Sequence, residues 1–292
     1  MNGLILFLNL VLEGIVTGLV YALIALGFSL IWRVCDVIHI AHGGVLLIAA
    51  AAIFVVHRAG LPFFAAIVAG AIAATVAGLL IEEGFYRPMR NWGASEFGMI
   101  TVSLGILIVI QYGIVIMLGP DDMSVSAPSL REPLVAGLPV TFDRFSITTL
   151  GLVAGLFILC ALLFNRTAMG RSMRALASNE QLASIIGLDT EGARRKAIIV
   201  GSLMTVPAAA LMLVNNGILP TDGLHIILVA ATVSIIGGRG SLAGALLGGL
   251  LIGLAESLMV WHFPYGWRQV ITFVPLYLLL LVRPQGLFGG RA

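Results

Sequence analysis

The sequence predicts an all-α, polytopic bundle of transmembrane helices with about eight or nine membrane segments, some of them short or re-entrant. Of its 292 residues, 60% are hydrophobic and only 10% are charged, and the mean hydropathy is +1.08. Soluble domains average about 45–50% apolar and about 25% charged residues. The apolar residues form runs close to the roughly 20 residues that cross a bilayer. The 35 glycines also fit a membrane bundle, because glycine lets helix axes approach closely.

Nine apolar segments follow one another along the chain, at about 4–31, 37–56, 62–81, 97–118, 146–164, 194–216, 225–237, 242–261 and 268–282. The seventh is short for a full span, so we expect a half-helix or a re-entrant piece there. The second begins with Asp36, His39 and His42, so we expect its first turns to be broken or shielded by protein. The N-terminus lacks a basic start and a small-residue cleavage site, which predicts a retained span and not a signal peptide.

The charges of the loops predict the orientation. The 165–196 loop is the most basic one and is therefore expected in the cytoplasm, whereas the acidic, proline-containing 119–145 loop is expected outside. Alternation then places the N-terminus outside. It also places three further basic stretches inside, namely those of Arg33, of Arg87 and Arg90, and of Arg283 and Arg291.

Four pairs of glycines at four-residue spacing predict close contacts between helices. The pairs are Gly14/Gly18, Gly151/Gly155, Gly244/Gly248 and Gly249/Gly253. Such pairs are typical of any polytopic bundle, so they do not separate a transporter from a channel or a pump.

The 165–196 loop contains a segment for which we predict a short helix at 178–188. Ser178 and Gln181, three residues apart, match the start of a capped helix. Gly187 is the residue type that favours a helix end.

An apolar stripe runs along this predicted helix and consists of Leu182, Ile185 and Ile186. One interpretation is that the stripe packs on the protein's own inner face. The other is that the helix enters a groove on a soluble partner.

Several stretches resemble one transporter family. Glu180-x-x-Ala183-x-x-x-Gly187 resembles the EAA loop of ABC importer permeases, whose coupling helix contacts the ATPase subunit. Four further stretches resemble LivH-type branched-chain amino-acid permeases, and they lie at 18–27, 40–43, 236–249 and 282–289. The Arg-Pro-Gln-Gly-Leu-Phe-Gly sequence in the last stretch is the most specific, and the resemblance covers essentially the whole chain.

The resemblance implies a single permease domain over residues 1–292, in the bacterial inner (plasma) membrane. It implies import of branched-chain amino acids or related small amino acids or amides, delivered by a periplasmic binding protein. Its expected partners are a second permease subunit of LivM type and two ATPase subunits, which bind the ATP. The residues expected to couple to the ATPase are Glu180, Leu182, Ala183, Ile185, Ile186 and Gly187.

We expect no cofactor on this chain itself and no enzymatic activity. The sequence contains no G-x-x-x-x-G-K-[S/T] phosphate loop, which an ATPase of this kind needs. The glycine-rich stretch at 238–244 lacks the strand and the acidic residue of a dinucleotide site, so we expect a tight cytoplasmic turn there. Asp36, His39 and His42 are possible metal ligands, but no second cluster of such residues accompanies them, so no metal is expected. No basic tract suggests nucleic acid.

Polar residues inside the spans are candidates for the solute path, because they are costly in a bilayer. Glu13 lies nine residues into the first segment, roughly 14 Å deep, and Thr17 and Tyr21 share its helix face. In the family pattern a neutral polar residue precedes Gly14, so Glu13 is a departure that leaves the solute open. A protonated or hydrogen-bonded Glu13 that holds two helices together is an equal alternative.

Weaker candidates for the path are His39, His42, Asn215, Asn216, Thr232 and Ser234. Each of them is also a common structural hydrogen-bonding residue. Glu256 is expected near the outer end of its span, where water is available.

Two other classes of protein remain. A secondary transporter or channel for small polar solutes would explain the glycine-rich spans and Glu13 without an ATPase. A membrane-embedded enzyme lacks support, because the sequence shows no nucleophile–base pair. Cys35 and Cys160 have no metal spacing and are expected to be buried thiols.

Overall fold

The structure is a computed structural model that describes residues 2–132, 143–238, 240–263, 267–282 and 286–287. Over these residues the chain is helical and contains no β-strand, and an isolated bridge joins Met123 and Ile218. The α-helices are α1 (Asn2–Cys35), α2 (His42–Arg58), α3 (Phe63–Ile81), α4 (Arg87–Asn91), α5 (Glu96–Leu118), α6 (Arg144–Arg166), α7 (Ala168–Ser178), α8 (Glu180–Ile185), α9 (Thr190–Asn215), α10 (Gly223–Gly237), α11 (Leu242–Met259) and α12 (Arg268–Val282). The all-helical prediction is therefore confirmed.

Six helical stretches are long and apolar enough to cross a membrane, and they are Gly3–Cys35, Phe63–Asn91, Glu96–Leu118, Arg144–Arg166, Thr190–Asn215 and Leu242–Met259. The second of them continues from α3 through one π-helical segment, Glu82–Tyr86, into α4. Two shorter apolar helices, α2 and α10, have 17 and 15 residues. Each of the nine apolar segments in the sequence therefore corresponds to a helix.

The second apolar segment begins without a helix, as its polar residues predicted. The chain between α1 and α2 is non-helical over residues 36–41, and Asp36 has a φ of 54°, in the left-handed region. Asp36 is exposed at this break, whereas His39 and His42 are buried. The helix α2 therefore starts only at His42, five residues after the apolar run begins.

The chain divides into two compact units. One unit comprises Met1–Leu26, Ser126–Ile158 and Val229–Ala292, and the other comprises Gly27–Val125 and Leu159–Leu228. In the second unit α2, α3 and α9 pack on one another, and α2 also packs on α5. One core cluster of this unit gathers the end of α1 with α7 and the start of α9 around Ile31, Met173 and Ile198. Both cysteines are buried free thiols, as expected.

Three of the four glycine pairs lie where two backbones meet. A Cβ built on Gly18 of α1 would lie 2.7 Å from the carbonyl oxygen of Gly249 in α11, and one on Gly253 would lie 2.4 Å from that of Gly14. The third pair packs in the same way on α10, since a Cβ on Gly244 would lie 2.0 Å from the Gly237 carbonyl oxygen. Only glycine fits such approaches, because any side chain would collide with backbone.

The fourth pair, Gly151/Gly155 in α6, contradicts the prediction of a close helix contact. A Cβ on either glycine would meet nothing within 4 Å among the described residues. Spacing alone does not show whether a neighbouring helix is present, which explains the error.

A tight turn joins α10 to α11 within the glycine-rich stretch, as predicted, and the Ser241 amide donates to the Gly238 carbonyl across it at 3.1 Å. Gly238 and Gly240 both have positive φ, and the Ser241 hydroxyl caps α11 by accepting a hydrogen bond from the Gly244 amide at 3.0 Å. The amide of Leu287 donates to the Ile236 carbonyl at 2.7 Å, so part of the 282–289 stretch lies against this turn. Arg239, Arg283 and Arg291 lie outside the described residues.

Candidate coupling helix and translocation path

The helix predicted in the 165–196 loop is present but shorter than expected. It is α8, Glu180–Ile185, and not the whole of 178–188. Its N-cap is Asn179, which has extended backbone angles and accepts a hydrogen bond from the Leu182 amide at 2.8 Å. The predicted cap at Ser178, paired with Gln181, is therefore wrong.

The physical reason is a separate helix, α7, that the sequence analysis missed. Ser178 is the last residue of α7, so its backbone is already helical and unavailable as a cap. Asparagine caps helices about as well as serine does. Which of the two adjacent residues, Ser178 or Asn179, caps α8 therefore depends on where α7 ends. Thr167 caps α7 by accepting from the Gly170 amide at 3.1 Å, a signal present in the sequence.

Gly187 ends α8, as predicted. Its φ is 79°, its amide donates to the Ser184 carbonyl, and the Leu188 amide donates to the Ala183 carbonyl, both at 3.0 Å. These two bonds form the Schellman arrangement, in which the left-handed residue is usually glycine. A Cβ on Gly187 would meet nothing within 4 Å, so the constraint is backbone conformation alone.

The apolar stripe of α8 is uncovered. Leu182, Ile185 and Ile186 are 57%, 79% and 69% exposed, whereas Ala183 is buried. The interpretation that the stripe packs on the protein's own surface is therefore wrong for the part of the chain that the structure describes. A six-residue helix that, together with its C-cap residue Ile186, presents three large aliphatic side chains to solvent has the form of a docking element.

The three candidate path residues on α1 differ in their surroundings. Glu13 is exposed, Thr17 is half-buried and Tyr21 is buried. The Tyr21 hydroxyl donates a hydrogen bond of 2.8 Å to the carboxylate of Glu256 in α11, and the Thr272 hydroxyl donates to the other oxygen of that carboxylate. Exposure of Glu13 contradicts the alternative in which it holds two helices of this chain together.

Glu256 is buried, with 3% of its surface exposed. The expectation that it lies beside water is wrong. It lies three residues after Gly253 and seven after Gly249, which places all three on one helix face. That face packs on α1, so the position of the glycine pair would have predicted the burial of Glu256.

The two histidines take part in a buried polar cluster beside the break between α1 and α2. His39 Nδ1 lies 2.6 Å from the Tyr86 hydroxyl, which lies 2.7 Å from the Ser103 hydroxyl. Ser103 in turn accepts a hydrogen bond of 2.8 Å from the Ala41 amide. The His42 ring lies against the His39 ring. These contacts give His39 a structural role in holding the break.

Asn215 and Asn216 lie at the C-terminal end of α9. Asn215 is the last helical residue and is half-buried, and Asn216 is the exposed residue that follows. Close by, the Met123–Ile218 bridge joins this end to the loop after α5. The pKa of Asp122 in that loop is raised by partial burial and by the neighbouring Asp222 carboxylate.

Within the described residues no group of three or more His, Cys, Asp or Glu side chains is arranged to hold a metal ion. Thr232 and Ser234 of α10 are both buried, and the Ser234 hydroxyl donates to the Ala25 carbonyl at 3.2 Å. Ser234 therefore has the structural role that the sequence analysis gave as its alternative.

A family model described as "Branched-chain amino acid transport system / permease component" matches residues 10–280. The chain belongs to this permease family. It is 32% identical to the LivH high-affinity branched-chain amino acid transport system permease protein of Escherichia coli K12, over 97% of this chain and 96% of the relative. It is 28% identical to the BraD permease protein of Pseudomonas aeruginosa over the same shares of the two chains.

Other permeases are more distant. The LsrC permease protein of the autoinducer 2 import system of Yersinia pseudotuberculosis is 32% identical over 54% of this chain and 47% of the relative. Among solved structures, the PsaBC complex of Streptococcus pneumoniae with a Fab has a chain that matches with a TM-score of 0.53 at 13% identity. This match covers 94% of the permease and 92% of that chain. At this identity the likeness shows a shared fold alone. The permease is thus a multi-pass membrane subunit of the ABC type, which works with other ABC components.

Proposed function

We propose that the chain forms the translocation path for branched-chain amino acids, or for related small amino acids or amides, in an ABC importer. The family match over residues 10–280 carries the proposal, and the LivH and BraD relatives cover nearly the whole chain. The LsrC relative serves the import of a different solute, so the solute class rests on the full-length relatives.

The membrane arrangement belongs to the same proposal. Residues 1–292 form one permease domain with eight or nine membrane segments in the bacterial inner membrane, with the N-terminus outside and the 165–196 loop in the cytoplasm. The six long apolar helices and the shorter α2 and α10 support eight segments, and α12 provides a ninth. The basic character of the 165–196 loop supports the orientation.

The partners of the chain are part of the same proposal. The proposed complex contains a second, LivM-type permease, two ATPase subunits that bind ATP, and a periplasmic solute-binding protein. On this chain Glu180, Leu182, Ala183, Ile185, Ile186 and Gly187 form the contact with the ATPase. The exposed apolar stripe of α8 supports the proposed contact with a separate ATPase. The sequence contains no phosphate loop, which supports the proposal that the chain itself binds no cofactor and is not an enzyme.

For the solute path we propose Glu13, Thr17 and Tyr21 of α1, with Glu256 holding the tyrosine hydroxyl in place. Exposure of Glu13 supports the proposal, because a carboxylate on an apolar helix is stable only beside water, a solute or a polar partner. Asn215 and Asn216 are proposed for the mouth of the path, since they lie at a helix end. His39 and His42 are proposed to support it through the buried cluster.

Reconstitution of the complex tests the proposed function. The tagged chain is purified with its ATPase partners and placed in proteoliposomes that enclose ATP, with binding protein and radiolabelled leucine outside. We expect uptake that depends on enclosed ATP and stops when the phosphate-loop lysine of the ATPase partner is replaced. Uptake by the chain alone, driven by an imposed ion gradient, would instead identify a secondary transporter.

A further inference from the structure

Eight charged side chains form a continuous ion-pair network at the base of the coupling helix. Four are carboxylates and four are guanidinium groups, so the formal charges balance. They are Glu82, Glu83, Arg87, Arg90, Glu180, Glu191, Arg194 and Arg195.

Arg194 in α9 is the point at which α8 joins the network. Its Nη2 lies 2.5 Å from the Glu180 carboxylate of α8, and its Nη1 lies 3.0 Å from the carboxylate of Glu191. Arg194 is only 5% exposed, which is unusual for an arginine. A buried guanidinium keeps its charge and must be paired, so its two carboxylate partners are strongly held.

Glu191 carries the network from α9 to the segment that follows α3. Its second oxygen lies 3.4 Å from Arg87 Nε and 3.9 Å from Arg90 Nη2. Arg90 pairs with Glu82, which is 1% exposed at the start of the π-helical segment. The network therefore runs without interruption from α8 through the start of α9 to the end of α3.

A second connection passes through Glu83. Arg87 Nη1 lies 2.8 Å from the Glu83 carboxylate, and Arg195 of α9 pairs with the other oxygen of the same group. These side chains are partly exposed, and exposed pairs contribute little. The buried members Glu82 and Arg194 are consequently the ones on which the connection depends.

Few other contacts attach α8 to the protein. The large apolar side chains of the helix and of its C-cap, Ile186, are exposed, and of its six residues only Ala183 is buried. The Gly187–Leu188 turn holds the C-terminal end, and Leu188 packs against the core cluster of α1, α7 and α9. The Glu180–Arg194 pair holds the N-terminal end.

We propose that this ion-pair network, centred on Arg194, transmits the movement of α8 to α9 and to the end of α3. Arg194 is then a positioning residue: it contacts neither solute nor ATP, and it keeps the docking helix rigidly attached to two spans. The proposal rests on the proposed function, because it presupposes an ATPase that moves α8. In the absence of the Glu180–Arg194 pair, α8 would pivot about its glycine turn while the ATPase remained bound.

A double-mutant cycle tests this connection, since pairwise coupling is the evidence that a proposed pathway needs. The variants are Glu180→Gln, Arg194→Gln and both together, in the reconstituted complex with its ATPase. The measured quantity is the number of leucine molecules taken up per ATP hydrolysed. We expect each single variant to lower this ratio at least about threefold and the double variant to lower it no further than Arg194→Gln does alone, because Arg194→Gln already removes the pair that Glu180→Gln breaks.

The controls separate this connection from docking and from folding. The Arg194 variants should retain the ATPase in pull-down, because Arg194 lies outside the proposed ATPase contact and the apolar stripe is unchanged. Arg174→Gln changes an exposed arginine of α7 that has no carboxylate within 4 Å in the described ranges, and it should leave the ratio unchanged. Should Arg194→Gln fail to accumulate in the membrane, Arg194→Lys replaces it. The lysine variant should then lower the ratio with Glu180 present and have no effect in the Glu180→Gln background.

Two outcomes would overturn the inference. One is a normal ratio in Arg194→Gln, and the other is a double variant whose loss is the product of the two single losses, which would show that Glu180 acts through its contact with the ATPase and not through Arg194. Either would leave the proposed function intact, because the wild-type complex would still couple ATP to uptake. A wild-type complex without ATP-driven uptake would instead contradict the proposed function, and this inference with it.

Discussion

Glu13 is the residue whose surroundings are least like those of its neighbours. It sits in an apolar helix, yet the chain leaves it exposed, whereas Tyr21 on the same face is buried and bound to Glu256. A carboxylate in hydrocarbon costs several kcal/mol, so we expect this side chain to lie beside water, a solute or another polar group. A solute with an ammonium group would provide one.

Replacement of Glu13 by glutamine should weaken uptake without weakening assembly. Loss of a hydrogen bond to a charged group costs about 1.5–3 kcal/mol, so we expect about a tenfold or larger fall in the kcat/KM of transport. The amount of complex purified should match the wild type. Tyr21→Phe is the companion variant, and it should lower thermal stability, because the buried Glu256 carboxylate loses a donor. Unchanged uptake of every amino acid and amide tested in Glu13→Gln would exclude Glu13 from the path.

At the end of α9, Asp122 should make stability depend on pH. Partial burial and the Asp222 carboxylate raise its pKa in the folded protein, so the folded state holds this proton more tightly than the unfolded state does. The resulting stabilisation is complete below the usual aspartate pKa of about 3.9 and is lost as pH rises through the raised value. Asp122→Asn should therefore raise Tm slightly at pH 7. The gain in the free energy of unfolding should be less than about 1 kcal/mol, because the carboxyl group is mostly exposed. Thermal melts at pH 4 and pH 7 measure the effect, and a lower Tm at pH 7 in Asp122→Asn would show that the charge stabilises the fold.

In the first unit, α1 and α11 approach each other closely. Gly14 and Gly18 face Gly249 and Gly253 at distances that leave no room for a methyl group. This contact also places Glu256 against Tyr21, four residues after Thr17 on α1. The glycines thus bring the buried carboxylate to the candidate path.

A methyl group at Gly18 should disrupt this contact. In Gly18→Ala the new Cβ would lie 2.7 Å from the Gly249 carbonyl oxygen and 2.8 Å from the Leu250 Cα, and backbone atoms cannot move aside as a side chain does. Overpacking of this kind costs about 1–3 kcal/mol. Gly105→Ala in α5 is the matched control, because its Cβ meets nothing within 4 Å and alanine favours a helix by about 1 kcal/mol. Thermal unfolding in detergent should show a lower Tm for Gly18→Ala only, and equal Tm values would argue against the contact.

At the scale of the elements, the sequence alone predicted the features that depend only on neighbouring residues in the chain. Hydropathy located all nine apolar helices, and the need for a left-handed residue located the end of α8 at Gly187. The sequence did not predict features for which two adjacent residues are equally suitable, or features that depend on whether another helix packs nearby. Ser178 and Asn179 are both good caps, so the start of α8 depended on α7. The spacing of Gly151/Gly155 is identical to that of the packed pairs, and only the fold shows that no described helix lies there. The Arg194 network joins residues more than 100 positions apart, beyond any sequence pattern.

For the whole molecule, the orientation can be tested by cysteine labelling. Ser124→Cys and Ser178→Cys place exposed thiols in the proposed outer loop and at the proposed cytoplasmic side, and the native Cys35 and Cys160 are buried and provide a low background. A membrane-impermeant maleimide added to intact spheroplasts should label position 124 and not position 178. Labelling of 178 alone would reverse the orientation, and with it the assignment of α8 to the ATPase side.

The central claim is that α8 couples ATP hydrolysis to movement of solute, and the ratio of leucine taken up to ATP hydrolysed tests it most directly. Gly187→Val and Gly187→Asn are compared in the reconstituted complex. Both substitutions meet open space, but the β-branched valine resists a φ of 79° whereas asparagine tolerates it. We expect that Gly187→Val stays in the membrane and either loses the ATPase or hydrolyses ATP with little uptake, while Gly187→Asn stays close to the wild type. A Gly187→Val complex that keeps its ATPase and transports leucine at the wild-type ratio would contradict the claim.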